Sequence, residues 1–208
     1  MSGSGASRVF AVVPVKDLAG AKSRLAPILD PGARAGLTLY MMGRVVAALR
    51  GAGVEDVGVV SPDRIVLGEA EERGATPLRQ ESRGLNPALE EGRHWAMGEG
   101  ASALLVLPAD LPLLRPEDVR SVLGEPDDET PVVISPDGAR AGTNALLLAP
   151  PDALPFAFGP GSYEAHLRAA REHGLDVRVC ERPRLAFDLD TAGDLARLRT
   201  PFCPEYQG

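Results

Sequence analysis

Short, unbroken apolar runs alternate along the chain with longer stretches in which apolar residues recur every third or fourth position. Val9-Phe-Ala-Val-Val-Pro-Val15 contains no polar position, so neither face of this segment suits water, and its β-branched content predicts a buried parallel strand. Val57-Gly-Val-Val-Ser61 and Leu104-Leu-Val-Leu-Pro108 have the same character. Asp30 before Pro31 reads as a helix N-cap with proline at the first helical position, and Leu37, Met41, Val45 and Leu49 then keep a four-residue spacing until Gly51. Further helices are predicted over about 65–73 and from Asn86-Pro87 to about 98. Others start at Pro116, at a Ser162 cap running to His173, and at Thr191-Ala-Gly-Asp194, which resembles a capping box with Asp in place of Glu or Gln. Strands are predicted at 131–135, 145–148, 177–180 and 184–189.

Strands alternating with helices call for a mostly parallel sheet covered on both faces, the three-layer α/β class. Ligands of such sheets bind beyond the carboxyl ends of the strands. No repeat or linker divides the 208 residues, which predicts one domain over 1–208 with 1–8 and 201–208 as irregular tails.

Composition narrows the function. No apolar run reaches the ~18 residues of a spanning helix, and the start is small and polar where a secretory signal would be basic and then apolar. A cytoplasmic protein without a membrane partner is expected. Two cysteines, Cys180 and Cys203, have neither zinc-ligand nor disulfide-framework spacing. The net charge of −7 argues against nucleic acid, because a phosphate backbone needs a broad basic face. An anionic substrate must then meet a local basic focus. Only two of the 22 basic residues are lysines, Lys16 and Lys22, and both lie in the loop after the first strand. In a chain that otherwise uses arginine, this points to places where a compact ammonium matters.

The polar clusters share one placement. Lys16, Lys22 and Arg24 follow the first strand, Asp110 follows the strand at 104–108, and Asp188 and Asp190 close the last predicted strand. Asp188 and Asp190, two apart on an extended segment, point to one face. Carboxylates gathered without His or Cys suit a hard cation such as Mg²⁺, which takes one or two protein carboxylates and completes its shell with phosphates and water. A glycine loop entering a helix at Phe158-Gly-Pro-Gly-Ser162 offers backbone N–H groups to an anion, although a turn with an N-cap explains the same residues.

Several segments together resemble a known family, the 2-phospholactate and phosphoenolpyruvate guanylyltransferases of coenzyme F-420 (deazaflavin) biosynthesis. They are Val13-Pro-Val-Lys16 with Lys22-Ser-Arg-Leu25, Arg83-Gly-Leu-Asn86, Leu107-Pro-Ala-Asp-Leu-Pro112, Gly142-Thr-Asn-Ala-Leu146, Phe158-Gly-Pro-Gly-Ser162 with His166, and Asp188-Leu-Asp190. The resemblance implies a nucleotidyltransferase variant of the Rossmann-like fold, of glycosyltransferase-A-like form. It implies Mg²⁺ at Asp110, Asp188 and Asp190, and the phospho-acid at Thr143, Gly159 and Ser162, with Asn144 and His166 nearby. On the nucleotide side it suggests Arg83, Gly84 and Asn86, with Ser61 facing the base. Lys16, Lys22 and Arg24 would neutralise charge during transfer of GMP from GTP to the acid. A phosphate monoester is already anionic, so no histidine base is needed.

Phosphoenolpyruvate and 2-phospholactate differ in planarity rather than charge, and the residues do not separate them. The arginine-rich composition of a high-GC genome favours phosphoenolpyruvate by association. A molybdenum-cofactor-type transferase is disfavoured, since its glycine-rich loop is replaced by Lys16-Asp-Leu-Ala-Gly-Ala-Lys22. A regulatory module that binds a nucleotide without turning it over is the alternative from another class. The oligomeric state is left open, a homodimer included.

Overall fold

The computed structural model describes residues 8–124 and 130–199. Seven strands form one sheet: β1 (Val9–Pro14), β2 (Asp56–Ser61), β3 (Thr76–Arg79), β4 (Ala103–Val106), β5 (Val132–Pro136), β6 (Thr143–Leu148) and β7 (Val177–Val179), in the order β3-β2-β1-β4-β6-β5-β7. β1 pairs in parallel with β2 and β4, β2 with β3, and β5 with β7, while β6 is antiparallel to β4 and β5. Only β6 runs against the rest. Its first residue, Thr143, therefore lies at the same edge as the carboxyl ends of the other six strands.

The period of two along β1 splits the core. Ala11 and Val13 face α1 (Pro31–Gly51), α2 (Arg64–Glu72) and α4 (Pro116–Leu123); Phe10 and Val12 face α3 (Leu85–Gly98) and α5 (Ser162–Glu172). Gly92 lets α3 close onto the sheet, since a Cβ there would come within 2.7 Å of Val12 Cγ1. A third, smaller cluster joins Leu25, Met41, Phe187 and Leu189 to Leu195 and Leu198 of α6 (Ala192–Arg199).

Local signals decide most boundaries. The Asp30 carboxylate accepts from Ala33 N–H at 2.8 Å with Pro31 behind it, as predicted. Thr191 and Asp194 form the reciprocal pair of a capping box, Thr191 N–H to Asp194 Oδ2 at 2.8 Å and Asp194 N–H to Thr191 Oγ1 at 3.3 Å. At α5 the cap is Gly161, at φ 75°, and Ser162 is the first helical residue rather than the cap. Similarly α3 is capped by Gly84, with Asn86 inside its first turn.

Two strand assignments differ from the sequence reading. β3 was not foreseen, because an edge strand containing Pro77 and three exposed residues carries no apolar run. The strand predicted at 184–189 is not a strand. The segment turns over 183–186, closed by Ala186 N–H to Arg182 O at 2.9 Å, and then runs on to Leu189, whose N–H donates to Asp110 O at 3.0 Å; Leu185, Phe187 and Leu189 are buried. Apolar alternation reports one buried face and does not require a ladder partner. Arg8, assigned to a tail by sequence, is anchored to Ser102 and Asp56. The other tail positions, with Cys203, lie outside the described residues, and Cys180 is a buried free thiol.

Candidate functional site

A cavity of about 770 Å³ opens at the carboxyl edge of the sheet, bounded by the loops after β1, β3 and β4 and by Phe158 and Asp190. Lys16, Lys22, Arg24, Arg83, Gly84, Asp110 and Asp190 all line it. The loop after β1 supplies the basic groups. Lys22 adopts a left-handed backbone (φ 48°, ψ 42°) at the start of a 3₁₀ turn, Ser23–Leu25, whose Leu25 is fully buried. Such a backbone is uncommon for a side chain with Cβ, and the buried Leu25 and the ion pairs of Lys22 hold it.

Lys22 Nζ is 2.8 Å from both Asp110 Oδ2 and Asp190 Oδ1, and its side chain is 9% exposed. Burial opposes the ammonium, but Asp110 and Asp190 outweigh it, and the pKa lies above the ordinary lysine value. Arg24, largely exposed, stands 3.6 Å from Asp190 Oδ2. Both oxygens of Asp190 are thus turned to cations of the chain. Among the described residues no lysine or arginine pairs with Asp188. Burial and then the neighbouring Asp110 push its carboxyl up, and a hydrogen bond from Asn144 partly offsets this. Among the described residues no three Asp, Glu, His or Cys side chains converge as a ligand set. Asp110 and Asp190 share the Lys22 ammonium, Asp190 also meets Arg24, and Asp188 carries the repulsion of both neighbouring carboxylates.

On the acceptor side, Thr143, Asn144, Ser162 and His166 are all buried, and the ring of Phe158, which lines the cavity, packs edge-on against His166. His166 Nε2 accepts from Ala157 N–H at 3.1 Å, which requires the other ring nitrogen to carry the proton. Nδ1–H therefore donates to Thr143 Oγ1 at 3.0 Å, leaving the Thr143 hydroxyl hydrogen to point elsewhere. Burial lowers the His166 pKa to about 4, so the ring is neutral at physiological pH. His166 holds Thr143 and the 157–158 backbone together rather than reaching a ligand itself. Asn144 Nδ2 donates to Leu185 O at 2.9 Å and thereby steadies the segment that carries Asp188. Gly159, exposed and at φ 138°, heads the Gly159-Pro-Gly161 loop into α5.

Two nucleotide-side expectations are corrected. Ser61 is fully buried, and its Oγ accepts from Asp63 N–H at 3.1 Å, so it does not face the cavity. Asn86 spends its amide on Phe158, Nδ2 to O at 3.0 Å and Oδ1 from N–H at 2.8 Å, and clamps two loops instead of meeting a base. Arg83 and Gly84 do line the cavity. Sequence reasoning missed Gln80 and Ser82, which line it too. They follow the edge strand whose apolar signal is absent, so nothing in the local pattern marked them.

Comparison with known proteins places these features. Residues 9–200 match the family model described as "Guanylyl transferase CofC like". A phosphoenolpyruvate guanylyltransferase of Rubrobacter xylanophilus is 63% identical over 199 residues, covering 96% of this chain and 97% of that one. Another from Sphaerobacter thermophilus is 43% identical over 190 residues, covering 91% of each. Among solved structures, a CMP:2-keto-3-deoxy-manno-octonic acid synthetase complexed with CTP superposes with a TM-score of 0.62 at 20% identity, over 93% of this chain and 97% of that one. A 4-diphosphocytidyl-2C-methyl-D-erythritol synthase of Anaerococcus prevotii gives 0.64 at 12%, over 94% and 100%. These two show a shared nucleotidyltransferase fold. With the family model spanning the described structure and relatives matched over nearly their whole length, the chain belongs to the CofC-like guanylyl transferase family.

Proposed function

We propose that the chain transfers GMP from GTP to the phosphate of phosphoenolpyruvate, releasing diphosphate, as a Mg²⁺-dependent cytoplasmic enzyme of coenzyme F-420 biosynthesis. The observation that carries this reading is the Lys22 ammonium between Asp110 and Asp190 at the wall of a nucleotide-sized cavity, in a chain 63% identical to a phosphoenolpyruvate guanylyltransferase.

In this reaction a phosphate oxygen of the acid attacks the α-phosphorus of GTP. A new P–O bond forms, the bond from the α-phosphorus to the α,β-bridging oxygen breaks, and that oxygen leaves with diphosphate. The nucleophile is already ionised, so the protein's work is to align two anions and offset the charge they bring together. Lys22 and Arg24 supply fixed positive charge beside the cavity, and exposed Lys16 adds to it. On the acceptor side Ser162 N–H and Tyr163 N–H already donate to Gly159 O and Ala141 O, so the acid would be met by the positive dipole end of α5 and by the N–H groups of Gly159 and Gly161 beside it. Thr143 keeps a free hydroxyl hydrogen because His166 donates to its oxygen.

The carboxylates suit Mg²⁺. Asp188 and Asp110 are hard oxygen donors whose mutual repulsion a cation would relieve, and Mg²⁺ asks for no more than one or two protein carboxylates. Bound there, the ion would withdraw charge from the phosphates during transfer. Mass spectrometry of products from GTP with phosphoenolpyruvate and, separately, with 2-phospholactate tests the reading. A GMP adduct of phosphoenolpyruvate, formed with Mg²⁺ and abolished by EDTA, is expected. An adduct only with 2-phospholactate would overturn the acceptor, and diphosphate release unaffected by EDTA would overturn the metal.

A further inference from the structure

We infer that Gln80 reads the guanine ring through a side-chain oxygen fixed before the nucleotide arrives; the inference rests on the guanylyl transfer proposed above. The cavity spans the ends of four adjacent strands. Gln80 follows β3 at one end, Pro62 follows β2, Lys16 follows β1, and Asp110 follows β4 at the other. Three inter-strand spacings, about 14 Å, separate the outer two. The carboxylate end takes the reacting phosphates, which leaves the β3 end for the base.

Gln80 is held there in one orientation. Its backbone N–H donates to Ser61 O at 3.0 Å. Nε2 donates to Ser82 O at 2.7 Å and to Gly84 O at 3.2 Å, so both amide hydrogens are used. A flipped amide would set its oxygen against those two carbonyls, which excludes the alternative assignment. Oε1 is left as the open end of the amide. The loop beyond it is braced as well, since Glu81 and Ser82 N–H donate to the Glu91 carboxylate at 3.1 and 2.7 Å. Pro62 and Leu85 add apolar surface for a flat ring.

A fixed acceptor is what distinguishes guanine. Its N1–H and 2-amino group are adjacent donors, whereas adenine presents a lone pair at N1 and no amine beside it. A site built around such a hydrogen bond rejects a ligand that lacks the donor more strongly than a merely apolar pocket could, because the ligand covers the oxygen and leaves it unpaired. Inosine triphosphate keeps N1–H and O6 but lacks the amine, so it isolates the contact.

The test is kcat/KM for GTP, inosine triphosphate and ATP with phosphoenolpyruvate, in the wild-type enzyme and in Gln80→Met and Gln80→Ala. Wild type should prefer GTP to inosine triphosphate by about tenfold or more, as expected for one lost hydrogen bond to an acceptor held in place. Both variants should lose most of that ratio, falling chiefly on GTP, with the KM for phosphoenolpyruvate and the Tm unchanged. A parallel loss for GTP and inosine triphosphate would make Gln80 a structural brace for the loop and overturn the inference, as would an unchanged ratio or a wild type indifferent to the amine. If wild type turns over no GTP at all, the guanylyl transfer reading itself fails, whatever the variants do.

Discussion

Lys22 Nζ meets Asp110 Oδ2 at 2.8 Å, a contact between loops at the ends of β1 and β4, neighbours in the sheet. The same nitrogen reaches Asp190, so one compact ammonium serves two carboxylates from distant parts of the chain. A planar guanidinium is bulkier and prefers a two-pronged contact with one carboxylate. Lys22→Arg should therefore lower kcat by about tenfold or more although the charge is kept. Lys16→Arg, on the exposed part of the loop, should cost much less. Steady-state kinetics of both, with melting curves, checks this; full activity in Lys22→Arg would remove the lysine from the reaction.

The aspartates should separate by role. Asp110→Asn and Asp188→Asn each remove charge from two carboxylates that repel one another and should cost about 100-fold in turnover, with more Mg²⁺ needed for half-maximal rate. Asp190→Asn should also slow turnover, but through Lys22 and Arg24, with little change in the Mg²⁺ requirement. Metal titrations of the three variants measure the difference, and an equal Mg²⁺ shift in all three would return Asp190 to the ligand set.

On the acceptor side, Thr143→Val and Ser162→Ala each delete one hydroxyl near the proposed anion site. A loss of roughly 1.5–3 kcal/mol is expected for a hydrogen bond to a charged group, read mainly as a higher KM for the phospho-acid. An effect confined to the KM for GTP would place these residues on the wrong side.

His166 predicts a pH dependence of stability. Its folded pKa of about 4 lies below the unfolded value of 6.5, so the unfolded chain binds the proton more readily. The stability this group allows is complete above pH 6.5 and is lost as pH falls toward 4, by up to roughly 3 kcal/mol. Urea unfolding at about pH 7 and about pH 4.5 should show a steeper decline in wild type than in His166→Gln. Equal slopes would mean that the imidazole is not buried neutral.

Much of this was legible from residues close together in sequence. The apolar runs of β1, β2 and β4 dictate burial on both faces. Asp30-Pro31 and Thr191 with Asp194 carry their own capping chemistry, and the two lysines stand out against a background of arginine. The 13–25, 107–112, 142–146 and 158–162 segments carried the family. Such signals act within a few residues, where chain connectivity already supplies proximity.

What the tertiary structure decided is which groups meet. Lys22 is separated by 88 residues from Asp110 and by 168 from Asp190, and only the closed sheet brings them to 2.8 Å. The reversal of β6 puts Thr143 at the site edge, and burial turns His166 from a ligand candidate into the neutral donor that sets the Thr143 hydroxyl. Ser61 and Asn86 looked available in sequence but are spent on Asp63 and Phe158. Gln80 had no signal at all until an edge strand without an apolar pattern paired with β2 and carried it to the cavity. Hydrogen-bond partners and charge neighbours depend on positions in space, and no local periodicity encodes those.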